Sequence, residues 1–274
     1  MTKTKRMIEE CLGRIDVVIE LVDARIPLSS KNPDIMRLCK DKPRMIVLNK
    51  SDLSDSIQNK KWLQYYREQG YHAILFDSKN KKKNSSNLLL DQIHNFCSEK
   101  TRKDTERGMS GKAIKIMVLG IPNVGKSTFI NCISGSNRAK AEDRPGVTRG
   151  KQWISLQNGI DLLDMPGILW PKIEDQTIAE KLAITGAIKD NILDIESLSI
   201  KLLTILKENY EKSLRARYKI TEDLPNDYYD LLCIIGKKRG FIVSGGQIDT
   251  ERTAIILIDE FRAGKSGNFT LDVL

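Results

Sequence analysis

The chain has no apolar run of the roughly 18 residues needed to span a membrane as a helix, so a helical integral membrane protein is excluded. No uninterrupted apolar core follows the basic N-terminus, and no secretory signal is expected. The five cysteines (Cys11, Cys39, Cys97, Cys132, Cys233) are scattered and form no CxxC pair. An odd, dispersed set in a chain this long argues against a disulfide framework or a zinc site. They read as small core residues in a reducing cytoplasm. No internal repeat or low-complexity segment is evident, and the one notable charge run is Lys81-Lys82-Lys83.

What is present is a soluble, globular composition, 40% hydrophobic and 30% charged over 274 residues, long enough for two domains. The net charge of +9 points to a polyanionic partner. Residues 1–110 carry 22 Lys+Arg against 15 Asp+Glu, and residues 111–174 carry 9 against 5. Residues 175–274 carry 14 against 16, so the positive excess lies in the first two-thirds of the chain.

Periodicity divides the chain in the same way. Helical spacing over residues 5–14 leads into a buried strand over 16–23. Further strands are expected at 45–48, 73–76 and 114–119, with helices at 57–69, 86–98 and from Lys126 to about Ser134. Residues 99–112 read as a linker and 136–150 as a polar loop. Residues 153–156 and 160–163 read as a hairpin across Asn158-Gly159. Strands alternating with helices predict a mostly parallel sheet covered on both faces. From about residue 175 apolar residues recur at helical spacing through Ile178, Leu182, Ile188, Ile192, Leu198, Leu202, Leu206 and Tyr210, with further helices near 227–237 and 250–264. The expected organisation is an α/β domain over 1–174 and a smaller all-α domain over 175–274.

Three short motifs carry chemistry. Gly120-Ile121-Pro122-Asn123-Val124-Gly125-Lys126-Ser127 is a complete GxxxxGK[ST] phosphate loop between a strand and a helix. Its backbone N–H groups, from Asn123 through Thr128, suit phosphate oxygens. Lys126 suits the β- and γ-phosphates, and the Ser127 hydroxyl suits Mg²⁺. Asn49-Lys50-Ser51-Asp52 reads as NKxD. Asp52 can accept from guanine N1–H and the N2 amine, donors that adenine lacks. Asn49 would bridge to the base and to neighbouring loops, and the Lys50 stem would cover the ring. Ser78 and Lys79, after the next strand, supply a second base-contacting loop. Asp164-Met165-Pro166-Gly167 is DxxG: Asp164 suits the Mg²⁺ shell and the Gly167 amide the γ-phosphate. Thr148 is the expected switch threonine, joining the metal shell with triphosphate bound. An ordinary GTPase runs phosphate loop, DxxG, NKxD. Here NKxD comes first and none follows Gly167, so the motif order is that of a circularly permuted P-loop GTPase domain.

Several segments together resemble the YlqF/RbgA family of circularly permuted GTPases, ribosome biogenesis GTPase A. They are residues 20–27 (ELVDARIP), 49–52, 120–127, 143–148 (DRPGVT) and 163–171 (LDMPGILWP), with 185–190 (TGAIKD), 238–240 and 244–246 in the tail. The resemblance implies GTP and GDP as ligands, Mg²⁺, and K⁺ held with help from Asn123. It implies late assembly of the large ribosomal subunit, hydrolysis stimulated by that particle, and a helical C-terminal domain on ribosomal RNA. Ribosomal proteins are further possible partners, whereas no membrane and no DNA is expected. The chain is expected to act as a cytoplasmic monomer. Lys81–Lys83, Arg215, Arg217, Lys219 and Lys237–Arg239 are candidate phosphate contacts. The permutation also makes residues 168–171 run straight into the helical part, so nucleotide-driven movement there would be passed on.

One departure bears on turnover. The position after DxxG, often a water-orienting glutamine, is Ile168. The family resemblance implies instead a histidine in a Phe-Pro-Gly-His stretch just before the segment matching Met1-Thr2-Lys3. The given sequence lacks that stretch, and neither His72 nor His94 is expected to replace it. Good binding of GTP and weak intrinsic hydrolysis are therefore expected.

Overall fold

The computed structural model describes residues 3–79, 83–97, 113–135, 151–156, 159–170, 172–188 and 194–274. Thr148, the 99–112 linker, the 136–150 loop, Asn158, Lys81 and Lys82 lie outside the described residues. The chain forms two compact units, Met1–Lys172 with Leu274, and Ile173–Val273.

The first unit contains α1 (Lys3–Leu12), β1 (Val17–Asp23), α2 (Pro33–Leu38), β2 (Arg44–Asn49), α3 (Ser56–Glu68), β3 (His72–Phe76), α4 (Lys83–Phe96), β4 (Ile114–Gly120), α5 (Lys126–Ser134), β5 (Gln152–Leu156) and β6 (Ile160–Asp164). The strands form one sheet in the order β3-β2-β1-β4-β6-β5. All neighbours are parallel except the edge pair β5–β6. All seven residues of β1 are buried, so both faces of this central strand are covered. Edge strand β5 buries Ile154 and leaves Gln152, Trp153 and Ser155 exposed, as a half-covered edge requires.

The core joins elements distant in sequence. Ile8, Ile15, Val18, Ile35, Leu119, Leu163 and Ile168 share one apolar cluster, whereas Val22, Ile46, Leu48, Trp62 and Tyr66 share another. The short helix α2 was not foreseen. Asn32 caps it, and Pro33 occupies its first turn, where a missing N–H costs nothing.

The second unit contains α6 (Gln176–Ile184), α7 (Ile195–Tyr218), α8 (Tyr228–Arg239) and α9 (Thr250–Arg262). Each of these four helices, like α3, starts on an aspartate whose carboxylate accepts backbone N–H bonds: Asp55, Asp175, Asp194, Asp227 and Asp249. Such caps contribute about 1 kcal/mol each. Leu202, Leu206, Leu232, Ile235, Leu257 and Phe261 are buried in this unit. Among the described residues no helix is long and apolar enough to cross a membrane.

Candidate functional site

Parallel strands deliver their following loops to one end of a sheet. Asp23 ends β1, Asn49 ends β2, Gly120 ends β4 and Asp164 ends β6, while Ser78 follows β3. Motifs as far as 75 residues apart in sequence are thereby neighbours.

The Asn49–Asp52 turn is bonded to the loop that follows β4. Asn49 Nδ2 donates to the Val124 carbonyl at 2.8 Å, and Lys50 Nζ donates to the Asn123 carbonyl at 2.6 Å. Ser78 Oγ donates to Asn49 Oδ1 at 2.6 Å. Ser78 therefore braces Asn49, and the exposed Lys79 follows it with its N–H donating to Asp77 Oδ1 at 2.9 Å. Asp52 is half-buried beyond Lys50. Burial, and then the Asp77 carboxylate, raise the Asp52 carboxyl above its ordinary value. A carboxylate poised this way gains most from hydrogen-bond donors arriving on its free face.

The backbone is strained where these parts meet. Lys50, Asn123 and Gly125 all have left-handed φ values, of 60°, 57° and 92°. For a lysine this is costly and is sustained by surrounding bonds. At Gly125 a Cβ would stand 2.5 Å from Asn49 Nδ2, so glycine there is a matter of space as well as φ. At Gly167 a Cβ would stand 3.2 Å from Pro122 Cα, which shows how closely DxxG lies against the phosphate loop.

Lys126 and Asp164 are both buried and paired through Nζ and Oδ1. Burial pushes the Lys126 ammonium below its ordinary value, and Asp164 opposes that shift. Ser127 and Thr128 follow in the first turn of α5, both half-buried. A Ser127 hydroxyl and one carboxylate form a hard-oxygen donor set that fits Mg²⁺, which takes few protein ligands and keeps waters or phosphate oxygens for the rest. The described residues contain no cluster of three or more His, Cys, Asp or Glu that could hold a metal ion.

Four functional-site neighbours were not assigned roles from the sequence: Glu20, Asp23, Arg25 and Asn32, all buried. Asp23 accepts from Arg25 Nε at 2.9 Å on Oδ1 and from Nη2 at 2.7 Å on Oδ2, and Lys50 Nζ lies 3.0 Å from the same Oδ2. Two carboxylates inside an apolar strand run were the available signal, since such groups are buried only when partnered or protonated.

Neither histidine belongs to this site. His72 opens β3, at the opposite end of the strand from the motifs, with its ring 5.3 Å from that of Phe96; His94 lies within α4. Ile168 is buried in an apolar cluster, so its side chain faces the core.

The comparisons agree with this geometry. The family described as "50S ribosome-binding GTPase" matches residues 115–226, starting in the strand that feeds the phosphate loop and leaving Asn49–Asp52 ahead of the match. A Ribosome biogenesis GTPase A of Priestia megaterium is 43% identical over 273 residues, covering 99% of this chain and 94% of that protein. The chain belongs to the ribosome biogenesis GTPase A family. The Thermotoga maritima member is 28% identical, over 98% of this chain and 90% of its own length. The GNP-bound crystal structure of YlqF from T. maritima superposes with a TM-score of 0.71 at 25% identity over all of both chains. A GDP-bound YlqF structure gives 0.67 at 26%, over 98% of this chain and 99% of that one. The circularly permuted P-loop fold with a helical C-terminal part is therefore the family's own.

In the second unit the basic candidates divide. Arg217 and Arg239 both bond to Glu260, Arg217 Nη2 at 2.7 Å, and Tyr218 Oη donates to it at 3.0 Å. Arg215 bonds to Glu211 and to the Glu222 carbonyl, each at 2.6 Å, and Lys238 lies 3.2 Å from Glu222. Lys219 and Lys237 are exposed.

Proposed function

We propose that this protein binds and hydrolyses GTP as a cytoplasmic assembly factor for late maturation of the large (50S) ribosomal subunit, with hydrolysis stimulated by the ribosomal particle. The observation that carries this reading is the bonding of Asn49 and Lys50 to the Val124 and Asn123 carbonyls, which joins a guanine-reading turn to a phosphate loop. The names of the relatives and the nucleotides in the YlqF structures support it.

In this reading Asp52 accepts from the guanine edge, Lys50 covers the ring, and Ser78 and Lys79 form the second base loop. The backbone from Asn123 to Thr128 cradles the phosphates, Lys126 neutralises the β- and γ-oxygens, and Gly167 N–H reads the γ-phosphate. Ser127, Asp164 and Thr148 would hold Mg²⁺, and Asn123 would help hold K⁺. When bound, such cations offset charge that develops between the β- and γ-phosphates. For the helical unit, the exposed Lys219 and Lys237 are the better candidates for ribosomal RNA phosphates, because the arginines beside them are engaged by Glu260, Glu211 and Glu222. Ribosomal proteins could share that surface, and the protein is proposed to act as a monomer.

A second reading is a GTP-dependent protein-binding scaffold with little turnover. Ile168 favours it, since an apolar side chain held in the core cannot orient water. GTP hydrolysis in potassium buffer, with and without purified large subunits, separates the two. Strong stimulation is expected. Subunit binding with a non-hydrolysable analogue but no stimulation would favour the scaffold, and neither binding nor stimulation would overturn the ribosomal partner.

A further inference from the structure

Asn32 is fully buried where three parts of the first unit meet. Its Oδ1 accepts from the Asp34 N–H at 2.9 Å and caps α2. Its backbone N–H donates to Glu20 Oε1 at 3.2 Å. Its Nδ2 donates to the Ile168 carbonyl at 2.9 Å, across 136 residues of sequence.

Ile168 directly follows the glycine of DxxG. Its own N–H donates to the Gly120 carbonyl at 3.0 Å, at the entrance to the phosphate loop. Both backbone polar groups of Ile168 are thus tied, one to β4 and one to Asn32, and its side chain is buried in the core. Gly167 is pressed against Pro122 on the other side. The backbone at Gly167 has little freedom while both ties hold.

We propose that Asn32 is a positioning residue for the triphosphate: its side-chain amide fixes the Ile168 carbonyl and so presents the adjoining Gly167 N–H to the γ-phosphate. The proposal rests on the guanine-nucleotide reading above. An asparagine suits the task because it is donor and acceptor at once, holding helix α2 with one atom and the DxxG segment with the other. Glu20 fixes Asn32 in turn through its backbone N–H. Loss of the amide leaves the Ile168 carbonyl without this donor, and the segment can move to find another. GDP, which has no γ-phosphate, should not register the change.

The test compares wild type with Asn32→Ser, Asn32→Ala and Asn32→Asp in the full chain. Affinities for GDP and for a non-hydrolysable GTP analogue are measured by titration in Mg²⁺, with thermal unfolding as a folding check. Ser and Asp keep an acceptor for the cap, whereas all three variants lose the Nδ2 amide that reaches Ile168; the one Ser hydroxyl is shorter and cannot serve the cap and the Ile168 carbonyl as the amide does. GDP affinity is expected to hold, while analogue affinity falls about tenfold in every variant that folds, the scale of one lost hydrogen bond. Equal loss for both nucleotides, no loss, a gain for the analogue, or a loss confined to Asn32→Ala would overturn the role. Wild-type protein that binds neither nucleotide would overturn the reading of the site itself.

Discussion

The Lys50 ammonium lies 3.0 Å from the Asp23 carboxylate while it donates to the Asn123 carbonyl. One cation thereby ties the end of β1 to the Asn49–Asp52 turn and the Gly120–Ser127 loop. Although burial opposes the charge of Asp23, the Arg25 and Lys50 cations hold its carboxyl well below the ordinary carboxylate range.

Asp23→Asn removes a buried counter-charge bonded to the Arg25 guanidinium, and removing one partner of a buried pair costs about 3–5 kcal/mol. Urea unfolding should show a loss of that order together with weakened nucleotide binding. The Asp23 contribution is present above the unfolded value of 3.8 and is lost as pH falls toward the lower folded value. The variant should therefore lose less stability than wild type on acidification. A change under about 1 kcal/mol would show that the network is not a buried ion pair in solution.

Glu20 titrates in the opposite sense. It is 1% exposed, and its Oε2 has no hydrogen-bond partner among the described residues. Burial pushes its carboxyl up to about 7, against the opposing pull of Lys31, the Asn32 N–H and Arg44. The folded state therefore holds this proton more tightly than the unfolded chain. That stabilisation is complete below the ordinary value of 4.5 and is lost as pH rises through about 7. Glu20→Gln should remove this part of the pH dependence. It should also be more stable than wild type at pH 8, relative to pH 5, by at most about 3 kcal/mol. Parallel stability profiles for the two proteins would contradict the assignment.

Gly125→Ala adds a Cβ only 2.5 Å from Asn49 Nδ2 at a φ of 92°. The backbone strain alone is worth roughly 1–3 kcal/mol, and relief requires Asn49 to release Val124. Calorimetric titration should show guanine nucleotide binding lost or greatly weakened, with a lowered melting temperature. Full affinity would mean that Asn49 and the loop are not in contact when nucleotide binds.

Asp52→Asn replaces an acceptor for two guanine donors with a group that cannot accept both. GTP affinity should fall about a hundredfold or more while ATP affinity changes little. Competition between the two nucleotides for wild type and variant reads this directly. Unchanged preference would remove Asp52 from base recognition.

Much of the fold was legible because β1, β2 and β4 are apolar runs bounded by turn signals, and because α3 and α5 have helical spacing of their own. The phosphate loop, DxxG and NKxD were legible for a different reason: each is a short stretch whose chemistry depends on residues next to one another. Helix α2 escaped because six residues give too little periodicity, although Asn32-Pro33 was a usable start signal. Arg215, Arg217 and Arg239 read as solvent-facing basic residues, whereas the Glu260 and Glu211 carboxylates and the Glu222 carbonyl engage them. Sequence counts charges and cannot pair them across 43 residues, as between Arg217 and Glu260.

The sequence by itself determined the motif order, and with it the permutation and the class of ligand, because a loop that wraps phosphate or reads guanine is built from consecutive residues. Only the tertiary structure decided how the motifs are joined: Asn49 on Val124, Lys50 between Asp23 and Asn123, and Asn32 on Ile168. Those bonds form because a parallel sheet brings the C-terminal ends of β2, β1, β4 and β6 side by side, a distance relation that linear spacing does not contain.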